Sequence, residues 1–206
     1  MGNAGQSGHL YKINEIFYSL QGEAFWQGTP AVFLRFSDCN LRCPFCDTEF
    51  LSGNIMSVAE ILENIAQYPA RRVIFTGGEP LMNDTFPIAS ALKSAGYILH
   101  VETNGMFEPG HTLFDWVSVS PKNKRLKIIH CDEAKILLGR GEAAELFGLS
   151  ANHYFISPKN PTHSEKIGSA GSVLTDAETL QYCIEYVKQH PQWRLSVQLH
   201  KYLGIR

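Results

Sequence analysis

Apolar positions recur along the chain at two different periods. Short runs rich in β-branched and aromatic residues alternate with stretches in which apolar side chains return every three to four residues. Residues 31–36 (AVFLRF) read as a strand carrying one charge, Arg35, inside an apolar run. Ser57 then opens a helix. Ser57-x-x-Glu60 is a capping box, and Val58, Ile61, Leu62 and Ile65 share one helical face. Residues 73–75 form a buried strand. Asp84 is placed to cap the next helix, with Ile88, Ala91, Leu92 and Ala95 on its apolar face and Gly96 as its stop. Strands follow at 98–101, 116–119, 134–138 and 154–156. Thr175-x-x-Glu178 repeats the capping box ahead of a helix with Leu180, Cys183, Ile184 and Val187 inward, and Pro191 lies just past its end. Residues 195–199 alternate as a last strand.

Strands alternating with helices imply a parallel sheet with crossover helices. Six core strands are too few for a closed eight-fold barrel, which takes about 250 residues. The expected fold is therefore α/β, an incomplete parallel β/α barrel of about six strands, with a doubly wound sheet as the rival. Residues 1–10 are glycine-rich and polar and read as a tail, and 11–206 as a single catalytic domain. Residues 158–174 form a long polar stretch suited to a lid or an insertion.

Composition narrows the function. The chain has 206 residues, 44% of them hydrophobic, enough for one sizeable core and too apolar for wholesale disorder. Its 18 Lys and Arg against 20 Asp and Glu leave no basic excess for an electrostatic nucleic-acid binder. No apolar run is long enough to span a bilayer, and the N-terminal residues lack a secretory pattern, so a cytoplasmic location is expected.

Cysteine distribution is the first positive signal. Of five cysteines, Cys39, Cys43 and Cys46 crowd into one loop after a strand, spaced C-x3-C-x2-C. Cys131 and Cys183 stand apart, and Cys183 falls on the apolar face of its helix, where it packs as a small hydrophobe. An odd count in a reducing compartment is a poor disulfide framework. Three close thiolates can hold three irons of a cubic [4Fe–4S] cluster and leave the fourth open to an outside ligand, whereas a closed electron carrier needs four. The alternative is a zinc-stabilised binding module, in which one distant histidine completes a tetrahedral site. Zinc motifs usually come as two pairs, and the second pair is missing here.

The cysteine loop, with Phe45 just before its last thiol, resembles the signature of radical S-adenosylmethionine enzymes. The resemblance implies a cluster on Cys39, Cys43 and Cys46 whose open iron takes the amino and carboxylate groups of S-adenosylmethionine. Polar turns end the other strands: Thr76-Gly77-Gly78-Glu79-Pro80, Glu102-Thr103-Asn104-Gly105 and Ser120-Pro121-Lys122. The first is similar to the superfamily segment that meets the methionine amino group. Phe45, Asp47, Gly78, Glu79, Ser120, Pro121 and Lys122 are implied as cofactor contacts. Where the family often has a Gln-Pro segment after the sixth strand, residues 155–159 read FISPK, and Ser157 stands in for that contact.

Further residues narrow the resemblance. Phe17-Tyr-Ser-Leu20-Gln21-Gly22-Glu23, Arg35, Cys46-Asp47-Thr48 and the segment from Trp193 to Arg206 together resemble the 7-carboxy-7-deazaguanine synthase family from about residue 12 onward. That family's reaction contracts the ring of 6-carboxy-5,6,7,8-tetrahydropterin, loses ammonia and regenerates S-adenosylmethionine; it is a carbon–nitrogen lyase step of queuosine and deazapurine biosynthesis. The resemblance further implies Mg2+ at Thr48, a flavodoxin- or ferredoxin-type reductant and a homodimer. Leu20, Gln21, Gly22, Glu23, Arg35, Thr76, His200 and the terminal carboxylate of Arg206 are the implied substrate pocket, with Gln198 beside them. Arg35 suits a substrate carboxylate because its planar fork pairs two oxygens at once. The family's usual glycine after the Glu23 position is Ala24 here, read as a neutral change. A radical activase that acts on a partner protein would share the cysteine loop and GGEP but would need neither Arg35 nor Thr48.

Overall fold

The structure, a computed structural model, describes residues 8–46, 49, 51–159 and 176–205. Its strands are β1 (Leu10–Leu20), β2 (Pro30–Phe36), β3 (Asn54–Ser57), β4 (Arg72–Gly77), β5 (Ile98–Thr103), β6 (Trp116–Val119), β7 (His130–Leu138), β8 (Ser150–Pro158) and β9 (Trp193–Leu195). Its helices are α1 (Val58–Ala66), α2 (Phe86–Ser94), α3 (Ala177–Gln189) and α4 (Leu199–Leu203). Among the described residues the strands make one sheet in the order β3-β1-β2-β4-β5-β6-β7-β8-β9. From β2 through β9 every pairing is parallel, while β1 runs antiparallel to both β2 and β3. Among the described residues the two ends of the sheet, β3 and β9, do not pair, so the barrel is incomplete. The sheet curls enough for the loop between β1 and β2 to reach β7 and the C-terminal segment: Glu23 pairs with Lys135, and Ala24 N donates to Ser196 Oγ at 2.8 Å.

Side-chain alternation divides each strand between a packed outer face and an inner face. On β2, Val32, Leu34 and Phe36 join Ile61, Ile65, Ile88 and Leu92 in the core under α1 and α2. Ala31 and Phe33 point the other way, against Phe17 and Ile74. Arg35 shares their parity, which explains a charge within an apolar run.

The capping box on α1 is present as expected: Ser57 Oγ accepts from Glu60 N, and the Glu60 carboxylate accepts from Ser57 N at 2.7 Å. Helix α2 starts one residue later than an Asp84 cap implies. Thr85 holds the cap position, while Asp84 Oδ1 accepts from Phe86 N at 3.1 Å. On α3 the cap is Asp176, which accepts from Glu178 N and Thr179 N. Thr175 lies outside the described residues. Glu178 pairs with Arg140.

Two strands escaped the periodicity. β1 begins at Leu10, inside the stretch read as a tail. A bulge between Ile13 and Glu15 shifts the register, so Tyr11, Ile13 and Ile16 all reach the outer core and the simple alternation is lost. β3 is an exposed edge whose four residues carry little pattern. The last strand is also displaced: β9 ends at Leu195, and 199–203 are helical. Ser196 N still donates to Ile156 O, but Leu199 N turns to Gly22 O, both at 2.8 Å. Beyond Leu195, Val197 and Leu199 therefore leave the sheet for the β1–β2 loop.

Candidate active site

The inner face is built in layers. Its floor is aromatic: Phe25, Trp26, Trp116 and His153 pack with ring centroids 4.5–5.8 Å apart. The Arg72 guanidinium lies 4.0 Å above the Trp26 ring. His100, beside it, is held neutral with a pKa lowered to about 3, by burial first and Arg72 second. Above the floor the inner face turns polar, at the ends of the parallel strands. Thr76 and Glu102 follow from β4 and β5, Ser118 from β6, and Glu133 and Lys135 from β7.

The loop between β1 and β2 crosses this polar layer. Gln21 N donates to Thr29 O and Gly28 N to Gln21 O, both at 2.8 Å, which closes its neck. Gln21 Nε2 donates to Glu102 Oε1 at 2.8 Å, and Thr76 Oγ1 to Glu102 Oε2 at 2.7 Å. Glu23 accepts from Gln198 Nε2 at 2.6 Å and pairs with Lys135. Burial raises the Glu23 pKa, but Lys135 and the hydrogen bonds outweigh it and hold the carboxyl below its usual range. For Glu133 burial wins and pushes the carboxyl up, although Ser118, Lys135 and the Phe25 N–H all oppose it. A Cβ on Gly22 would lie 2.0 Å from His200 Nδ1, so the backbone must be bare there for the histidine to pack over it. Leu20 is the last residue of β1, paired with Pro30, at the entrance to this loop.

Arg35 lies opposite Glu15 on β1 and beside Thr76 on β4. Its Nε is 3.0 Å from Glu15 Oε1, and its guanidinium carbon is 5.4 Å from the Phe17 ring centre. Carboxylate and ring together orient the fork.

The cysteine loop leaves β2 next to this layer. Gly78 N donates to Phe36 O and Glu79 N to Asp38 O, both at 2.9 Å, tying the Gly-Gly-Glu turn to the first residues of the loop. Asp38 adopts a left-handed conformation, and Lys12 reaches both its carboxylate and Leu51 O. Cys39 and Cys43 are half-buried and Cys46 is exposed, and Cys46 N donates to Cys43 O at 3.0 Å across a tight turn. Burial pushes the Cys39 and Cys43 thiols up, and neighbouring thiols add to the effect. The Phe45 ring lies between two ammonium groups, Lys122 at 5.5 Å and Lys159 at 5.3 Å. Burial lowers the Lys122 pKa, with Lys135 as a further cause, while the Cys43 and Glu23 charges oppose the drop. Three sulfur donors on one loop, half-open to solvent and beside the half-buried Lys122, fit a thiolate-bound cluster.

Two of the expected contact residues have protein partners in the structure. The Glu79 carboxylate is buried and accepts from Thr103 Oγ1 and Asn104 N at 2.7 Å and from Leu81 N at 3.1 Å. It ties the β4 and β5 turns together. Ser157 is completely buried and donates to Ser196 O at 2.7 Å, so it fastens the C-terminal segment to β8. Asp47, Thr48 and Arg206 lie outside the described residues, as do 160–174 of the long polar stretch. Ser120 N donates to Thr103 O at 2.8 Å, and Pro121 is buried beside it.

Four residues were missed as site candidates. Glu102 sits in the ETNG turn already singled out, but its role depends on Gln21 and Thr76 meeting it. Lys135 and Glu133 are polar positions on the inner side of β7, visible as alternation only once the inner face is known. Asn40 was also missed; its Oδ1 accepts from Asn104 Nδ2 at 2.8 Å, joining the cysteine loop to β5.

The Radical SAM superfamily model matches residues 34–112, which includes the cysteine loop and the β4 and β5 turns. The 7-carboxy-7-deazaguanine synthase of Bacteroides thetaiotaomicron is 41% identical over 198 residues, covering 96% of this chain and all of that protein. The chain belongs to the 7-carboxy-7-deazaguanine synthase family. The Bordetella pertussis synthase is 36% identical, over 95% of this chain and 99% of its own. The crystal structure of QueE from Escherichia coli superposes with a TM-score of 0.68 at 27% identity, over 93% of this chain and 95% of that one. Membership in a radical S-adenosylmethionine family implies a [4Fe–4S] cluster and S-adenosylmethionine, and the zinc-stabilised module drops away. Among the described residues no helix is long and apolar enough to cross a membrane.

Ala24 is not the neutral replacement it looked. It sits at φ +58°, in the left-handed region that costs a non-glycine residue about 1 kcal/mol or more. Ala24→Gly is expected to raise the stability of this synthase-family chain by about 1 kcal/mol, read as a higher denaturant midpoint with unchanged slope.

Proposed function

We propose that the chain binds 6-carboxy-5,6,7,8-tetrahydropterin over its aromatic floor and contracts it to 7-carboxy-7-deazaguanine with loss of ammonia, acting as a carbon–nitrogen lyase. The observation that carries this reading is the meeting of Gln21, Glu23, Thr76, Glu102 and Arg35 on one inner face, beside the three-cysteine loop. The polar layer matches the ligand. Carboxylates of Glu23 and Glu102 accept N–H donors of a pterin edge, Gln21 supplies both donor and acceptor, and Arg35 faces a carboxylate of the opposite sign. Cys39, Cys43 and Cys46 would hold the cluster; Gly78 and the 120–122 turn would approach S-adenosylmethionine. With both bound and the cluster reduced by one electron from the reductant, that pair would supply a radical able to take a hydrogen atom from the substrate. The chain's own part is position and exclusion of water: the floor closes the inner face from below, and the 196–200 segment covers it from the side.

Thr48 is proposed as the protein ligand of Mg2+, which keeps few protein ligands and takes substrate oxygens and water for the rest. A flavodoxin- or ferredoxin-type reductant, a homodimer and a cytoplasmic location complete the proposal.

Anaerobically reconstituted protein given the pterin, S-adenosylmethionine and a chemical reductant should form the deazapurine, faster with Mg2+, without consuming S-adenosylmethionine in proportion. Stoichiometric 5′-deoxyadenosine with no deazapurine would defeat the substrate assignment and favour an activase. Arg35→Ala is expected to raise KM strongly and change kcat less. Loss of such a charged, hydrogen-bonded partner costs on the order of 2–5 kcal/mol. Glu15, partly solvated at the edge of the pair, tolerates losing its arginine. An unchanged KM takes Arg35 out of the pocket.

A further inference from the structure

We infer that Lys135 is a positioning residue acting through Glu23: it holds that carboxylate charged inside the pocket, and so makes the pocket select a ligand edge bearing two N–H donors. This depends on Glu23 belonging to the substrate pocket, as proposed above. Lys135 stands on the inner side of β7, next but one to Glu133, while Ala134 and Ile136 on the other side are core residues. Its ammonium pairs with Glu23 Oε2, and the two side chains are only 14% and 12% exposed. Gln198 Nε2 donates to the other oxygen at 2.6 Å. The pair thus bridges the β1–β2 loop to a strand on the far side of the sheet.

The surroundings make the lysine necessary for charge. Glu23 is faced by Lys135 from β7, by Gln198 and His200 from the C-terminal segment, and by Lys122 from the turn after β6. Lys135 is faced in turn by Glu102 of β5 and Glu133 of β7. Three carboxylates, Glu23, Glu102 and Glu133, therefore share the pocket with two lysines. Burial favours the neutral form of a carboxyl, and Glu133 is pushed that way. Glu23 goes the other way because Lys135 pairs with it directly, and with Gln198 and His200 outweighs burial, whereas Glu133 feels the same ammonium without such a pair. The distinction has chemical consequences. A carboxylate accepts at both oxygens, matching the ring N–H and 2-amino group of a pterin; a neutral carboxyl presents an O–H where the ligand also presents N–H. Lys135 needs no contact with the ligand to decide between them.

The test uses reconstituted holoenzyme with S-adenosylmethionine and no reductant, so that 6-carboxytetrahydropterin binds without turnover. Its Kd is measured from about pH 6 to about pH 9 for wild type, Lys135→Met, Lys135→Arg, Glu23→Gln and the Glu23→Gln/Lys135→Met pair. Lys135→Met is expected to weaken binding by more than about tenfold near neutrality, with affinity recovering as pH rises and Glu23 ionises unaided. Lys135→Arg keeps the charge and should stay within about threefold of wild type. The double variant should bind no more weakly than Glu23→Gln alone, because without the carboxylate the lysine has nothing to hold. Wild type should also reject a 2-deamino pterin, and Lys135→Met should lose that preference.

A loss that is independent of pH, or that is as large in the Glu23→Gln background, overturns the role. If Lys135→Met alone does not fold, the comparison of Glu23→Gln with the double variant decides, since the double variant removes both charges of the buried pair: equal Kd values support the role, and a further tenfold loss, by the same scale, refutes it. Wild type that fails to bind the pterin defeats the functional proposal instead, whatever the variants do.

Discussion

Cys43→Ala should yield a folded, soluble chain that takes up no stable iron–sulfur cluster and turns over no substrate. The side chain is half-buried, in a loop whose geometry is set by backbone groups, with Cys43 O accepting from Cys46 N and the Gly-Gly-Glu turn bonded to Phe36 and Asp38. Truncating it opens no core cavity, so the melting temperature should barely change. What it removes is one sulfur donor from a set of three that already leaves one iron to an outside ligand. Iron and acid-labile sulfide per chain, together with deazapurine formation, provide the check. A Cys43→Ala protein that still forms product is incompatible with this thiol as a ligand.

Gly78→Ala should be nearly as damaging by a different route. An added Cβ would sit 1.8 Å from Asp38 O and 2.6 Å from Asp38 C, atoms of the backbone that cannot swing aside. The turn and the cysteine loop must part, and the bonds from Gly78 N to Phe36 O and from Glu79 N to Asp38 O go with them. Two buried backbone bonds and the overpacking together cost about 2–4 kcal/mol. Because Asp38 directly precedes Cys39, cluster content and turnover should fall together with stability. Gly8→Ala is the control: a Cβ there meets nothing within 4 Å, and stability and iron content should match wild type. A Gly78→Ala protein as stable and as active as the control would show that the two loops do not depend on this close approach.

Both effects concern residues that could be singled out without coordinates, and the reason is chemical. Three thiols in one short loop have few uses, and paired glycines after a strand permit contacts no other residue allows. Regular elements were legible where a side-chain pattern and a cap coincided, as in α1, with Ser57, Glu60, Ile61 and Ile65 in their expected places. Legibility failed where a long-range partner overrode local pattern. β1 hides its alternation behind a bulge that exists only because β2 lies alongside. The 195–199 stretch alternates like a strand, yet its last residue bonds to Gly22. The α3 cap moved by one residue because Asp176 satisfied two amides at once.

The chain's own order of residues determines the cofactor chemistry, the parallel strand architecture and the charged position within β2, since each follows from side-chain type and local spacing. Only the folded arrangement decides what the carboxylates do. Glu79 and Glu23 are both glutamates in glycine-containing motifs, yet Glu79 is turned inward to Thr103 and Asn104 while Glu23 faces the pocket, held by Lys135 and Gln198. Those partners lie 24 to 175 residues away in the chain. The charge state and reach of a buried carboxyl are set by whatever shares its low-dielectric surroundings, and no local pattern encodes that.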